Sequence, residues 1–553
     1  MSSYRTHKHL YTSTTGLDIF LDGAPPSGAA SKTAVPDSHP TGAAPDAEDP
    51  DADCPFRSSS LYRKVYVYPT QNDTSSGWGN ATSGIMSPGA GNSSGGVVPP
   101  WPWLQWDEDA RKGGWGHYDV RGMMGQYTLE LIVREIFTHP KSCLRTNDPE
   151  TASLFYVPYL PSAEFHKGKV YAQDYSTSPY AQALYDAIEG QYGGWEDLFG
   201  LTSKYWIRNG GSDHVMVYSE PLHGLSHPRS KRGSHHYIQT QRQLRPPIAV
   251  SVEVSTAFVS MYPKCSSKNV VVPYPNPDGR WYNGALDREA EKMTEDLWGL
   301  NVTAAHPAER SAATATPTGG SSDPRPLAHF YRAGAHGECA QLRRALQSDL
   351  GCSPSSKVIS GMLSNKLEVG YSLGMRAATF CPCPGGDSPG AKRNFDAVLA
   401  GCIPVVLSKD FVWPFTKEAD PVGETRDASD FSLRWNVTNF TETRFDPKTC
   451  KQKEGGIGDG GFKAALERVG SDEIERLRRA LRDAKDLYSF YEHKVGLEDG
   501  VADNPLMEGV LPAGGASREL VRALEKRARG VRWGPCEEEL KLPRGNDPRH
   551  FQC

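Results

Sequence analysis

The run from Cys381 to Asp396, Cys-Pro-Cys-Pro-Gly-Gly-Asp-Ser-Pro-Gly-Ala-Lys-Arg-Asn-Phe-Asp, sets two glycines, a first-turn arginine and a carboxylate side by side. Its pattern predicts a strand end, a Gly/Pro-rich loop and a short helix from about 391 to 400, followed by a tight turn and a buried strand to Leu407. A helix start gathers free backbone N–H groups and the positive end of the peptide dipoles at one point, which suits phosphate. Gly385, Gly386, Asp387 and Ser388 form that loop. Arg393 lies in the first turn, with Asp396 three residues later on the same face. A cation beside a diphosphate and a carboxylate within reach of ribose hydroxyls would suit a nucleotide. The same pattern also fits an ordinary crossover with a surface Arg/Asp pair.

Three further groups are candidates. Arg332 ends an apolar strand beside Ala333-Gly334, at a strand end of the kind that faces a ligand cleft. Asp213 and His214 follow Arg208, Gly210 and Gly211 at a turn before another strand. They serve either as a general base or as a backbone cap beside a packed histidine. Glu164 and His166 are weaker candidates for a base. His223, His227, His235 and His236 lie in a basic stretch without metal-ligand spacing, and Asp49-Pro-Asp51 falls in a polar stem. No metal is expected.

Positioning these residues requires α/β units. Strands are expected at 64–68, 154–158, 215–218, 248–252 and 270–273, and again at 327–331, 357–360 and 378–381. Helices are expected at 126–137, 338–350, from Ser471 as N-cap, and at 517–529. Strands alternating with helices predict mostly parallel sheets covered on both faces. The chain divides into a disordered stem (1–60), an N-terminal α/β unit (61–300, with a disordered insert at 71–100), a linker (301–324), a C-terminal α/β unit (325–495) and a helix with tail (496–553). A polar insert at 417–461 interrupts the second domain.

The 553 residues carry a net charge of −5 and are 38% hydrophobic, enough for sizeable cores and too acidic for a nucleic-acid binder. Eleven cysteines without a paired zinc pattern, and six Asn-X-Ser/Thr triplets, suit an oxidising secretory lumen. Cys339 and Cys352 are near enough to tie off the helix between them. Met1–Gly23 holds no apolar run long enough for a signal or an anchor.

Read in order, the motifs resemble the exostosin-like glycosyltransferases of plant and algal cell walls. The resemblance rests on Lys64-Val-Tyr-Val-Tyr, Gln126-Tyr-Thr-Leu-Glu, Leu154-Phe-Tyr-Val-Pro, Trp206-Ile-Arg-Asn-Gly-Gly-Ser-Asp-His214, Asn269-Val-Val-Val-Pro-Tyr, His329-Phe-Tyr-Arg-Ala-Gly, and Gly385 through Val405 to Phe415. It implies a GT-B architecture, two Rossmann-like domains facing across a cleft, with the donor nucleotide on the C-terminal one. It also implies inverting, metal-free transfer from a UDP-sugar to a wall or matrix polysaccharide or glycoprotein glycan, in the Golgi, behind a membrane anchor not visible here. Arg332, Gly385, Gly386, Asp387, Ser388, Arg393 and Asp396 would then bind donor, Arg208, Gly210 and Gly211 would lie on the acceptor side, and Asp213 and His214 would be catalytic. The loop departs from the family by reading Ser388-Pro-Gly-Ala-Lys where relatives often carry extra Ser or Thr. The alternative is a silent homologue that binds glycan or serves as partner subunit of a transferase complex.

Overall fold

The computed structural model describes residues 51–67, 128–157, 205, 208–209, 212–219, 248–254, 267–276, 325, 327–335, 339–351, 356–360, 368–386, 388–420, 424–435, 451, 461–492, 505–506 and 509–528. The first sheet is built from β1 (Val65–Val67), β2 (Arg145–Thr146), β3 (Leu154–Tyr156), β4 (His214–Tyr218), β5 (Ile248–Ser251) and β6 (Asn269–Val271). Its spatial order is β2-β1-β3-β4-β5-β6, and every pairing is parallel. All but β2 are buried along their length, as a sheet covered on both faces requires. Helix α1 (Leu129–Thr138) buries Leu129, Ile132, Val133 and Ile136, the stripe that its sequence periodicity predicts. Its start is tied to the end of β4 by a reciprocal pair. Ser219 N–H donates to Glu130 Oε1 at 3.1 Å, and Glu130 N–H donates to Ser219 Oγ at 3.2 Å.

Ordered chain begins earlier than the stem boundary at 60. Residues 51–63 fold into turns that bury Phe56 and Leu61, and Cys54 is disulfide-bonded to Cys143. Composition hid this because two apolar anchors and a crosslink hold an otherwise polar segment.

The second sheet contains β7 (Leu327–Ala333), β8 (Ser356–Ser360), β9 (Ala378–Cys383), β10 (Ile403–Val406) and β11 (Leu433–Arg434). It is also wholly parallel, in the order β11-β10-β9-β7-β8. The winding direction reverses between β7 and β9, and a crevice opens beyond the carboxyl ends of strands at such a switch point. Two parallel sheets, each doubly wound, make the expected two-domain α/β architecture. Helices α2 (Ala340–Gly351), α3 (Glu368–Arg376), α4 (Lys392–Leu399) and α5 (Gly461–Glu467) belong to this half. The sequence reading missed α3 and α5. The polar insert is partly structured: Ala428–Asp430 forms a 3-10 turn and Leu433–Arg434 adds the edge strand β11.

Helix α4 ends where Gly401 takes φ +68°, a left-handed conformation that favours glycine. Cys402 N–H then reaches the Ala397 carbonyl and Gly401 N–H the Val398 carbonyl, both at 2.9 Å, closing a Schellman motif. Cys402 is disulfide-bonded to Cys381 on β9, so both ends of the β9–α4–β10 unit are fixed. Phe395 on α4 packs against Phe411, Trp413 and Tyr488, with ring centroids 5.6–6.1 Å apart. Each such buried side chain contributes about 1.5–3 kcal/mol. The Tyr488 hydroxyl donates to the Pro414 carbonyl at 2.8 Å, which gives the buried ring a polar partner.

Helix α6 (Ser471–Leu487) packs against α4, and α7 (Gly515–Ala528) packs on α6. The N-cap of α6 is Gly470, not Ser471, which is the first helical residue, and no side-chain cap forms. Helix α7 also returns to the first sheet: Arg527 Nη2 donates to the Asn269 carbonyl at 3.4 Å, and Ser60 N–H donates to Glu525 Oε1 at 2.7 Å. Cys339 is disulfide-bonded, and Cys352, its expected partner, lies outside the described residues. Among the described residues, no helix is long and apolar enough to cross a membrane.

Candidate functional site

The switch point between β7 and β9 brings together most of the residues expected to bind donor. Strand β9 ends at Cys383 and leads through Gly385, Gly386 and Ser388 to the start of α4. Opposite it, β7 ends at Arg332 and Ala333, and Arg332 is buried. Two guanidinium groups cross from one side to the other. Arg343, on α2, donates through Nε to the Gly385 carbonyl at 2.9 Å and through Nη1 to the Gly334 carbonyl at 3.0 Å. A Cβ at Gly386 would lie 2.7 Å from Arg343 Nη2, so glycine there lets the guanidinium approach the backbone.

Arg393 lies in the first turn of α4, as expected, but it turns back toward β7. Its Nη2 donates to the Arg332 carbonyl, and its guanidinium carbon sits 5.2 Å from the Tyr331 ring centroid. Its Nε and Nη1 are shielded from solvent and, among the described residues, find no hydrogen-bond partner. A buried guanidinium with two unused donors is costly unless an anion takes them.

Asp396 is not the exposed acid of a helix surface. It is buried, and its carboxylate takes Lys392 Nζ at 2.7 Å, the Tyr371 hydroxyl at 3.1 Å and Asn276 Nδ2 at 2.9 Å. Burial pushes its pKa up despite the nearby Lys392. The Ser388 hydroxyl is buried and donates to Glu253 Oε2 at 2.8 Å. Asp387 lies outside the described residues.

The second group sits elsewhere. His214 opens β4 and Asp213 precedes it, in register with Phe155 near the start of β3. Asp213 accepts from His214 Nδ1 at 2.8 Å, from Arg208 Nη2 at 3.3 Å and from Asn209 Nδ2. His214 is fully buried and stacks on Phe155 with centroids 4.9 Å apart, while Arg208 lies over the Phe155 and Tyr205 rings. Burial pulls His214 below its ordinary pKa. For Asp213 burial acts upward, but hydrogen bonds from His214, Asn209 and Arg208 outweigh it and hold the carboxyl low. This cluster occupies the amino ends of the strands. The hydrogen bonds of Glu253 and Asn276 to the second domain instead follow the carboxyl ends, after β5 and β6 on one side and β9 on the other. Gly210, Gly211, Glu164, His166 and the histidine stretch at 223–236 lie outside the described residues. Among the described residues, no three His, Cys, Asp or Glu side chains gather as metal ligands.

Sequence reasoning missed Arg343, Tyr371, Asn276 and Glu253. Arg343 had a signal: it lies one helical turn into the element that follows Gly334, where strand-to-helix connections meet a switch crevice. Glu253 had only its oddity, an acid between Val252 and Val254 after an apolar strand.

The Exostosin GT47 domain model matches residues 60–444, which include both sheets. A probable glycosyltransferase of Arabidopsis thaliana is 24% identical over 299 residues, covering 54% of this chain and 49% of the relative. A probable glucuronosyltransferase of Oryza sativa subsp. japonica is 25% identical over 306 residues, 54% of this chain and 60% of its own. A probable glucuronoxylan glucuronosyltransferase of Arabidopsis thaliana is 22% identical over 368 residues, 65% and 64% of the two chains. The chain thus spans between 49% and 64% of the length of these curated relatives.

Proposed function

The chain belongs to the Exostosin GT47 family, and from that premise we propose that it is an inverting glycosyltransferase, moving a sugar from a UDP-sugar to a polysaccharide or glycoprotein glycan of a wall or matrix. One observation carries this reading: the switch crevice brings the loop after β9, the start of α4 and the guanidinium groups of Arg343 and Arg393 to one place. In this reading the diphosphate lies over the Gly385–Ala391 loop and draws Arg393 Nε and Nη1 to itself. Arg332 lines the other wall.

The acceptor hydroxyl attacks the anomeric carbon in line as the bond to the diphosphate oxygen breaks. The departing negative charge meets backbone N–H groups, the dipole of α4 and the arginines, with no metal ion required. Asp396 faces ribose once Asn276 or Lys392 gives way to its hydroxyls. Asp213 and His214, at the far strand ends, anchor the Arg208 segment in this reading, and another group takes the acceptor proton. The disulfides Cys54–Cys143 and Cys381–Cys402 support passage through an oxidising secretory compartment, the Golgi.

The relatives described as glucuronosyl- and arabinosyltransferases make uronic acid and pentose donors the first to test. A panel of UDP-sugars is screened for thermal stabilisation, and hits are assayed for transfer or hydrolysis. Stabilisation and turnover that disappear in Arg393→Ala support the reading. Full activity in that variant overturns the site assignment. Glycan binding without nucleotide binding identifies a partner subunit instead.

A further inference from the structure

Glu253 follows β5 in the first domain and is fully buried. Its carboxylate is spent across the domain seam. Oε1 accepts the Gly390 N–H at 2.6 Å, and Oε2 accepts the hydroxyls of Ser388 at 2.8 Å and Tyr274 at 3.1 Å. Ser388 and Gly390 belong to the loop between β9 and α4 in the other domain. The fit leaves no slack: a Cβ on Gly390 would lie 2.8 Å from the Phe411 ring and 3.1 Å from the Glu253 carboxyl carbon. A second link flanks the first, since Asn276 Nδ2 donates to Asp396 Oδ1 at 2.9 Å and the Tyr274 ring lies 6.0 Å from Phe395.

The groups that face Glu253 are Tyr274 from the segment after β6, Ser388 and Gly390 from the loop, and Phe411 from the segment after β10. On its own segment, the Ser251 hydroxyl donates to the Glu253 carbonyl at 3.1 Å. Among the described residues no cation pairs with the carboxylate. Burial pushes its pKa up to about 7, against the three donors, which favour the charged form. All three partners donate, so the ionised carboxylate matches them best. An amide or a protonated carboxyl turns one donor toward another unless a hydroxyl rotates.

We propose that Glu253 is a positioning residue for the nucleotide donor: from the opposite domain its carboxylate sets the loop between β9 and α4, so donor affinity depends on the closure of the domain seam. This rests on the assignment of that loop to the donor. Glu253 does not touch the sugar or the phosphates. It fixes the backbone that does, and a carboxylate can release that backbone by taking a proton.

The test measures UDP binding calorimetrically to the full chain between pH 5.5 and 8.5, for the wild type, Glu253→Gln and Tyr274→Phe. Losing one charge-assisted bond weakens UDP about tenfold at pH 8 in Glu253→Gln. The ratio of wild-type to Glu253→Gln affinity rises with pH through about 7, which cancels the titration of UDP itself. Tyr274→Phe removes one donor from the carboxylate and keeps the ring, so the midpoint of its profile moves to higher pH. That shift decides the matter if Glu253→Gln does not fold. Equal affinities and superimposable profiles in all the proteins that fold overturn the positioning role and leave the donor site standing. No binding of UDP by the wild type overturns the donor assignment and this proposal with it.

Discussion

Arg343 Nε and the Gly385 carbonyl meet at 2.9 Å, and the same guanidinium holds the Gly334 carbonyl at 3.0 Å, so one side chain spans the two strand ends that frame the switch crevice. Arg343→Met keeps most of the volume and strands two carbonyls. The expected cost is about 2–4 kcal/mol of stability, read from chemical denaturation, with nucleotide binding weakened at least tenfold. Gly386→Ala perturbs the same contact from the other side, because its Cβ meets Arg343 Nη2. It should weaken nucleotide binding with a smaller loss of stability, and binding equal to wild type in both variants would remove Arg343 from the site.

Asp213→Asn separates a catalytic from a supporting role. The variant loses the charge on which His214, Arg208 and Asn209 converge. If the cluster anchors the Arg208 segment, thermal stability falls by an amount equivalent to about 1–3 kcal/mol while kcat at saturating substrate stays within about threefold of wild type. A fall in kcat of a hundredfold or more with unchanged stability would restore Asp213 as the base. The pH dependence follows from the directions of the shifts. Asp213 is held below 3.8, so its contribution is present above that value and is lost as pH falls through the lower folded value. His214 is held below 6.5, so the unfolded chain takes up its proton first and acid weakens the fold from about pH 6.5 downward.

Much of this arrangement was legible in the sequence. The buried strands at 154–156, 214–218, 248–251 and 269–271 advertise themselves by continuous apolar runs, and the β9–α4–β10 unit by its glycines and its first-turn arginine. Strands β2 and β11 are two residues long and have no periodicity to read. Helix α3 carries two glycines in nine residues, which lowers its helical propensity, and packing in the second domain overrides it. The site was legible as a list of residues, not as a set of partners. Asp396 and Ser388 read as ligand groups because the chain nearby offers them only Lys392 and the Gly390 carbonyl. The groups that take them, Asn276 and Glu253, lie more than a hundred positions away in the other domain. Contacts between domains leave no local signal.

Glu253 and His329 should give the fold opposite responses to pH. Glu253 is raised from 4.5 to about 7 by burial, so the folded chain binds its proton more tightly and stability falls as pH rises from 4.5 to 7. His329 is lowered from 6.5 to about 4 by burial, so stability rises with pH over nearly the same interval. Each ramp amounts to about 3 kcal/mol at ~1.4 kcal/mol per pKa unit. Denaturation of Glu253→Gln across pH 4.5–7.5 should therefore show stability climbing relative to wild type as pH rises, by about that amount. A constant difference between the two curves would mean that Glu253 keeps its ordinary pKa and stays solvated in solution.

The Cys381–Cys402 bond closes a segment of 21 residues that contains the whole loop, Arg393 and α4. Loop-closure entropy assigns such a crosslink about 3 kcal/mol of stability. It does more than restrict the unfolded chain, because Cys402 immediately follows the left-handed Gly401 that ends α4, and Cys381 lies two residues before the end of β9. Cutting the bond frees the back of the unit whose front carries the loop. Cys383, the neighbouring thiol, is buried and pushed up to about 12, too poor a thiolate to replace either partner quickly. The paired substitution Cys381→Ala with Cys402→Ala should thus lower stability by about 3 kcal/mol without disulfide exchange, and weaken UDP binding at temperatures where the protein is still folded. Unchanged UDP affinity below the unfolding transition would show that the front of the loop is held by Arg343 and Glu253 alone.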